Sequence, residues 1–287
     1  MILIPLISEE NKELFYNNVK DLYLSFLTDN RNNTKYNKII NYFIDPITND
    51  FDEKKIKKVL IGDKSCLEDA INKIGKISND DTINNVYRNF RGSQFAKEWP
   101  EKIGIRVCPY CNKNFIASSH DLEYDHYFLK KNYPYLNVSM MNLIPCCSTC
   151  NHDKGEWDVF SKAFTYPYVE EFGYDICFSV TKNIMDRDDY YSIEIKNNNG
   201  EKLPDYIENE INKLATINIY SKQQYEIGKI FKKVYKRNIA RKKSIENSFG
   251  IKVDDDEDFA EYLDKNNWPK IQFSKIKCDI IKMYSND

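Results

Sequence analysis

Most side chains that can bind a metal ion lie in one short stretch of the sequence. Residues 108–152 contain five of the eight cysteines and all three histidines. Two CxxC pairs lie in this stretch, and their members are Cys108, Cys111, Cys147 and Cys150. Four thiolates in two such pairs match the closed tetrahedral site of structural zinc. The second pair could also consist of Cys146 and Cys150, with three residues between them. We favour Cys147 because it repeats the two-residue spacing of the first pair.

An aspartate and a histidine stand side by side between these pairs. Asp125 and His126 are followed by Asn142 and, directly after Cys150, by Asn151. Carboxylate and amide oxygens are the ligands that hard cations prefer, and histidine titrates near neutral pH. Adjacent side chains on a strand point to opposite faces, so Asp125 and His126 can share one site only at a strand end or bend. There the carboxylate could hold a cation while the imidazole faces a nucleophilic water.

The residues around these side chains alternate in a way that predicts strands followed by a helix. Residues 115–117 and 122–128 are predicted as paired strands, and residues 142–147 as a further short strand. Ser148 can cap a helix that begins near residue 150. The predicted unit is therefore strand, strand and helix, with a cysteine pair near each end.

The composition of the whole chain favours a packed protein of mixed structure. Of its 287 residues 41% are hydrophobic and 30% are charged, which excludes a disordered chain. We predict an α+β, mainly helical fold with a helical N-terminal region over 1–100, a central module over 101–165 and a C-terminal region over 166–287. The C-terminal region should contain a β-hairpin, helices and a basic helix over 222–243.

Three segments together resemble the HNH (ββα-metal) endonucleases. They read CPYC at 108–111, EYDHYF at 123–128 and NLIPCCSTCNHDKG at 142–155. The resemblance covers roughly residues 101–165 and implies a ββα-metal core stapled by a zinc site of four cysteines. It implies hydrolysis of phosphodiester bonds, with the histidine as general base and a divalent cation that stabilises the leaving oxygen.

The resemblance assigns a role to each matching residue. His126 takes the place of the general base, and Asn142 takes the place of the asparagine that orients it. Asp125 resembles the first ligand of a catalytic Mg²⁺ or Mn²⁺ and Asn151 the second, with His152 as the alternative. Lys154 lies where many relatives have a basic residue near phosphate. Since hard cations prefer oxygen and zinc prefers thiolates, the two sites should hold different metals.

Binding of DNA must depend on local charge, because the net charge is only −2. The segment 101–162 has seven basic and seven acidic residues, whereas 222–243 has nine basic residues and one acidic residue. A solvated helix face is about as good an interpretation of the basic helix as a phosphate-binding surface. The candidate nucleic-acid-binding residues are Lys130, Lys131, Lys154, Lys232, Lys233, Lys236 and Arg237.

The two other interpretations are a non-catalytic zinc-stapled module that binds nucleic acid or a protein, and an HNH ribonuclease toxin. Flanking segments such as 162–168 also resemble stand-alone bacterial HNH proteins of anti-phage systems (Septu, PtuB-like). That looser resemblance implies a defence role and an ATPase partner. No apolar run approaches the ~20 residues that cross a bilayer, and the N-terminus lacks signal-peptide features. We therefore predict a cytoplasmic protein without disulfides or a membrane partner.

Overall fold

The computed structural model describes residues 1–117, 120–182, 190–236 and 259–285. The α+β fold predicted from the sequence is confirmed, with helices and two small antiparallel sheets among the described residues. Contacts divide the chain into two compact units. The first unit comprises 5–105 and 116–161, and the second comprises 1–4, 106–115 and 162–287.

This division differs from the three consecutive regions that the sequence predicts. Residues 1–4 and 106–115 belong to the second unit, because their backbone groups form hydrogen bonds with other residues of that unit. Ile2 N–H donates to the carbonyl of Pro109 at 3.0 Å, and Arg106 N–H donates to the carbonyl of Pro269 at 2.7 Å.

Seven helices and one two-stranded sheet are described in the first unit. They are α1 (Glu9–Asp29), α2 (Asn37–Phe43), α3 (Glu53–Ile61), α4 (Lys64–Ile74), α5 (Asp81–Gly92), α6 (Gln94–Lys102), β1 (Leu122–His126), β2 (Leu143–Cys147) and α7 (Ser148–Lys154). Short polar side chains cap several helices; Asp80, for example, accepts the backbone N–H of Ile83 at 3.1 Å and begins α5. Apolar side chains spaced by three and four residues along α1 are buried, and Phe15 among them packs against Phe90 of α5 with 5.7 Å between ring centroids.

The strand pairing in the sheet of the first unit differs from the predicted pairing. β1 pairs with β2, and the register places Leu122 opposite Cys147 and His126 opposite Leu143. The prediction that 115–117 pairs with 122–128 is therefore wrong. Phe115 instead forms an isolated bridge with Val107, because the backbone closes a tight turn around the first cysteine pair.

The second unit contains the other sheet and five described helices. They are β3 (Ile176–Lys182), β4 (Tyr191–Asn197), α8 (Asp205–Lys213), α9 (Thr216–Ser221), α10 (Gln224–Lys236), α11 (Ala260–Leu263) and α12 (Ser274–Ser285). β3 and β4 form the predicted hairpin, with Val180 opposite Ile193. The first part of the predicted basic helix is α10, and residues 237–243 lie outside the described residues. Within the described parts of the chain, each helix is too short or too polar to traverse a bilayer.

Candidate active site and metal centre

A cavity of about 470 Å³ in the first unit contains the residues with the clearest chemistry. α5, β1, the segment that follows β1, and the end of α7 line this site cavity. Asp125, His126 and Asn151 all lie in the lining. Asp125 and His126 share the cavity although they are neighbours on a strand, since His126 is the last residue of β1. The geometry matches the strand end that the sequence analysis required.

One nitrogen of the His126 ring is held by the backbone. Its Nε2 lies 3.0 Å from the carbonyl oxygen of Asn137 in buried surroundings. Because a carbonyl only accepts, Nε2 carries the proton and donates it, and a neutral ring then has its lone pair on Nδ1. Burial, and next the positive charge of Lys130, lower the pKa of His126 from 6.5 to about 4. The imidazole is therefore neutral at pH 7 and can accept a proton at Nδ1.

Asn142 is fully buried and lies outside the cavity lining. Its Oδ1 accepts the backbone N–H of Phe128 at 2.7 Å. Its Nδ2 donates to the carbonyls of Phe128 at 3.2 Å and Leu136 at 3.0 Å. Leu136 precedes Asn137, whose carbonyl holds His126. Asn142 therefore links the backbone at Phe128 to the backbone at Leu136, next to the carbonyl that holds His126. Its role in orienting the histidine stays a prediction.

Asp125 is held by a buried ion pair. The ammonium of Lys154 lies 2.8 Å from Asp125 Oδ1, and the side chains are 0% and 4% exposed. The same ammonium donates to the carbonyl of His126 at 3.3 Å. The sequence analysis placed Lys154 near phosphate, but its side chain is buried here because the last turn of α7 packs on β1. Lys154 positions the Asp125 carboxylate and does not present its charge at the surface.

Asn151 reaches the cavity together with a carboxylate that the sequence analysis missed. Asn151 Nδ2 donates to Glu123 Oε2, and the Oδ1 of the same amide is an acceptor. Glu123 lies two residues before Asp125, which places both carboxylates on one face of β1. That two-residue spacing was the available signal. His152, the alternative ligand, is exposed and lies outside the cavity lining.

Helix α5 contributes Tyr87 and Arg91 to the cavity, and neither was predicted. The Tyr87 ring meets the His126 ring edge-on, with centroids 4.6 Å apart. Arg91 donates to the carbonyl of Leu122 at the start of β1. Helix α6 separates both residues from the first resembling segment, which begins at residue 108. No local pattern in the sequence connects them to the site.

Apart from the buried Lys154, four of the predicted nucleic-acid-binding residues have side chains that the structure describes. Lys130 and Lys131 line the site cavity, and Lys131 pairs with Glu156 at 2.7 Å. Lys232 and Lys233 are exposed on α10. The side chain of Lys236 and all of Arg237 lie outside the described residues. A phosphate-binding role for all of them stays a prediction.

The four paired cysteines form a compact cysteine cluster. The sulfur atoms of Cys108, Cys111, Cys147 and Cys150 all lie within 4.8 Å of one another, and all four residues are buried. Cys147 belongs to the cluster and its neighbour Cys146 does not, as expected for adjacent strand residues that point to opposite faces. Four buried thiols at such distances could hold a zinc ion, which binds thiolates tetrahedrally.

Comparison with known proteins finds similarity to a bacterial protein over a short region. The chain is 35% identical over 63 residues to the Septu protein PtuB of Bacillus thuringiensis. The match covers 22% of this chain and spans about a quarter, 24%, of the length of PtuB. No protein-family model matches the chain. No solved structure matches it either.

Proposed function

We propose that this protein is a metal-dependent HNH endonuclease that hydrolyses phosphodiester bonds of DNA. The observation that carries the proposal is the site cavity, which brings together Asp125, His126 and Asn151 from β1 and α7. The order of strand, strand and helix agrees with the ββα-metal core that the sequence resemblance implies. A zinc-stapled module without catalytic function would need the cysteine cluster but not these three side chains in one cavity.

His126 acts as the general base in this proposal. Its Nε2 proton is engaged by the Asn137 carbonyl, so Nδ1 accepts the proton of the attacking water. The lowered pKa keeps the ring neutral and ready to accept at physiological pH. The edge of Tyr87 and the backbone contact together restrict rotation of the imidazole. General base catalysis of this kind contributes ~10²–10⁴-fold to a rate.

Oxygen ligands beside the histidine fit a hard divalent cation. Asp125 and Asn151 would hold Mg²⁺ or Mn²⁺, and Glu123 offers a further carboxylate on the same face of β1. Such a cation stabilises negative charge that develops on the phosphate and on the leaving oxygen. The cysteine cluster would hold zinc in a structural role, since four thiolates leave no open coordination position.

The match to the Septu protein PtuB supports a role in anti-phage defence. By the same resemblance, an ATPase subunit is the proposed partner and the bacterial cytoplasm the proposed location. DNA is proposed as the substrate over RNA because the resemblance is to HNH endonucleases. The matched region spans about a quarter of PtuB, so the activity and the partners assigned here to this protein are proposals.

Plasmid cleavage in Mg²⁺ or Mn²⁺ tests the proposal. His126→Ala should lose cleavage by ~10²-fold or more, while His120→Ala should cut like the wild type because His120 is exposed and outside the cavity lining. Equal cleavage by wild type and His126→Ala would reject the assigned base. Cleavage of RNA but not DNA by the wild type would favour the ribonuclease alternative instead.

A further inference from the structure

One face of helix α5 contacts the candidate active site at three successive turns. The carbonyl of Ile83 accepts the side-chain N–H of Asn137 at 2.8 Å. Four residues on, Tyr87 packs against His126, and four residues further Arg91 donates to the backbone of β1. Residues spaced by four lie in one row on a helix. The sequence predicted only a helical region over residues 1–100, with no site residue in it, whereas Tyr87 and Arg91 of this row line the site cavity.

The helix is held firmly against the strand that carries the site. Phe90 of α5 packs against Tyr124 of β1 with 5.6 Å between ring centroids. The hydroxyl of Tyr124 donates to the carbonyl of Ala96 at 2.5 Å. Asp80, which caps α5, also accepts the hydroxyl of Tyr36 at 2.7 Å. Side chains on this face of α5 therefore have fixed positions relative to β1.

Acidic and basic side chains both line the cavity. Glu123 and Asp125 lie on the face of β1 that packs on α7. Arg91 and Lys130 also line the cavity, and the Lys130 ammonium lies 5.0 Å from the centre of the Tyr87 ring, which in turn contacts His126. Arg91 uses one guanidinium nitrogen on Leu122, and a guanidinium has five N–H donors in all. Two cations held near the base suit an anionic group of the substrate.

We propose that Arg91 and Lys130 form a phosphate subsite that binds the DNA backbone beside the bond to be cleaved. This inference rests on the proposed function for the identity of the ligand. Arg91 would donate paired N–H groups to phosphate oxygens, and Lys130 would act as a point charge. The subsite lies partly outside the resembling segments, since α5 supplies Arg91.

DNA binding measured without cleavage tests the subsite. All variants are made in a His126→Gln background, and fluorescence anisotropy follows a short fluorescein-labelled DNA duplex over a range of salt concentrations. Arg91→Ala and Lys130→Ala should each weaken binding about tenfold. Each should also reduce the slope of log affinity against log salt by about one, because one phosphate contact is lost.

Lys73→Ala is the control, because Lys73 is exposed on α4, pairs with Asp69 and lies outside the cavity lining. It removes the same charge but should leave the salt slope unchanged. Arg91→Lys should recover part of the affinity. Thermal unfolding shows whether a variant has lost only the contact with DNA or also its fold. Lys130→Ala tests the subsite independently of helix α5, because Lys130 lies outside helices and strands.

The outcomes separate this inference from the proposed function. Affinities and slopes equal to those of Lys73→Ala would overturn the subsite even if the wild type cuts DNA. Failure of the duplex to bind at all would overturn it as well. The expected losses of binding, combined with no cleavage by the wild type, would support the subsite and reject the nuclease.

Discussion

His126 and Asn137 are joined by a buried contact of 3.0 Å that decides which nitrogen of the imidazole can accept a proton. The backbone carbonyl fixes the proton on Nε2 and leaves Nδ1 for the reaction. Asn137 is itself tied to α5 through its side chain. The orientation of the proposed base therefore depends on a loop carbonyl and on a helix that precedes the resembling segments.

Asn142→Ala should destabilise the first unit and disturb the histidine. The change leaves the buried N–H of Phe128 and the carbonyl of Leu136 without this partner. We expect the free energy of unfolding to fall by about 2 kcal/mol or more. Denaturant titration measures it, with Asn18→Ala as control, since Asn18 makes an exposed contact to a helix carbonyl. Equal effects of the two changes would show that Asn142 does not secure the loop.

Lys154→Ala should be strongly destabilising because it leaves the Asp125 carboxylate buried without its ion-pair partner. The expected loss in the free energy of unfolding is about 3 kcal/mol. Lys131→Ala breaks an exposed pair of similar length, with Glu156, and should cost less than about 1 kcal/mol. Chemical denaturation of both variants checks the contrast. If Lys154→Ala were as mild as Lys131→Ala, the pair would not hold the carboxylate in place.

Cys147→Ala should remove bound zinc, whereas Cys146→Ala should retain it. The two cysteines are adjacent and buried, but only Cys147 has its sulfur in the cysteine cluster. Atomic absorption should find about one zinc per chain in the wild type and in Cys146→Ala. Chelation of the metal should lower the melting temperature of these two proteins. Zinc retained by Cys147→Ala would instead favour the other register.

Glu123→Gln should weaken binding of the proposed catalytic cation but leave His126 able to act as the base. Glu123 shares a face of β1 with Asp125 and accepts an N–H from Asn151. We expect the Mn²⁺ concentration for half-maximal cleavage to rise about tenfold. Glu156→Gln is the control, because it changes a second carboxylate of the same cavity that pairs with Lys131. An unchanged Mn²⁺ dependence in Glu123→Gln would remove this residue from the metal site.

Much of the candidate site could be predicted from the spacing of residues that lie close together in the sequence. The two-residue repeat selected Cys147 over Cys146, and the structure places Cys147 in the cluster. The adjacent Asp125 and His126 were predicted to share a site only at a strand end or bend, and both line the cavity because β1 ends at His126. The predicted strand ran two residues further, to residue 128. The α+β fold and the hairpin of β3 and β4 followed from the periodicity of apolar residues.

Residues that act through tertiary contacts escaped the sequence analysis. Tyr87 and Arg91 reach the cavity only because Phe90 packs α5 against β1, and such packing has no local signature. The charge of Lys154 favoured a surface position, but packing of α7 on β1 buried it against Asp125. Phe115 was assigned to the wrong strand pair because a single bridge around a tight turn resembles a short strand in sequence.

The three contacts of α5 determine how large a fragment must be to transplant the proposed catalytic centre. A fragment limited to residues 101–165 would keep every resembling motif but would omit Ile83, Tyr87 and Arg91. In that fragment Asn137 would have no anchor on a helix, and water would reach a ring that Tyr87 otherwise shields. The smallest fragment that keeps the proposed centre intact therefore has to include the helix beginning at Asp81 as well as the resembling motifs.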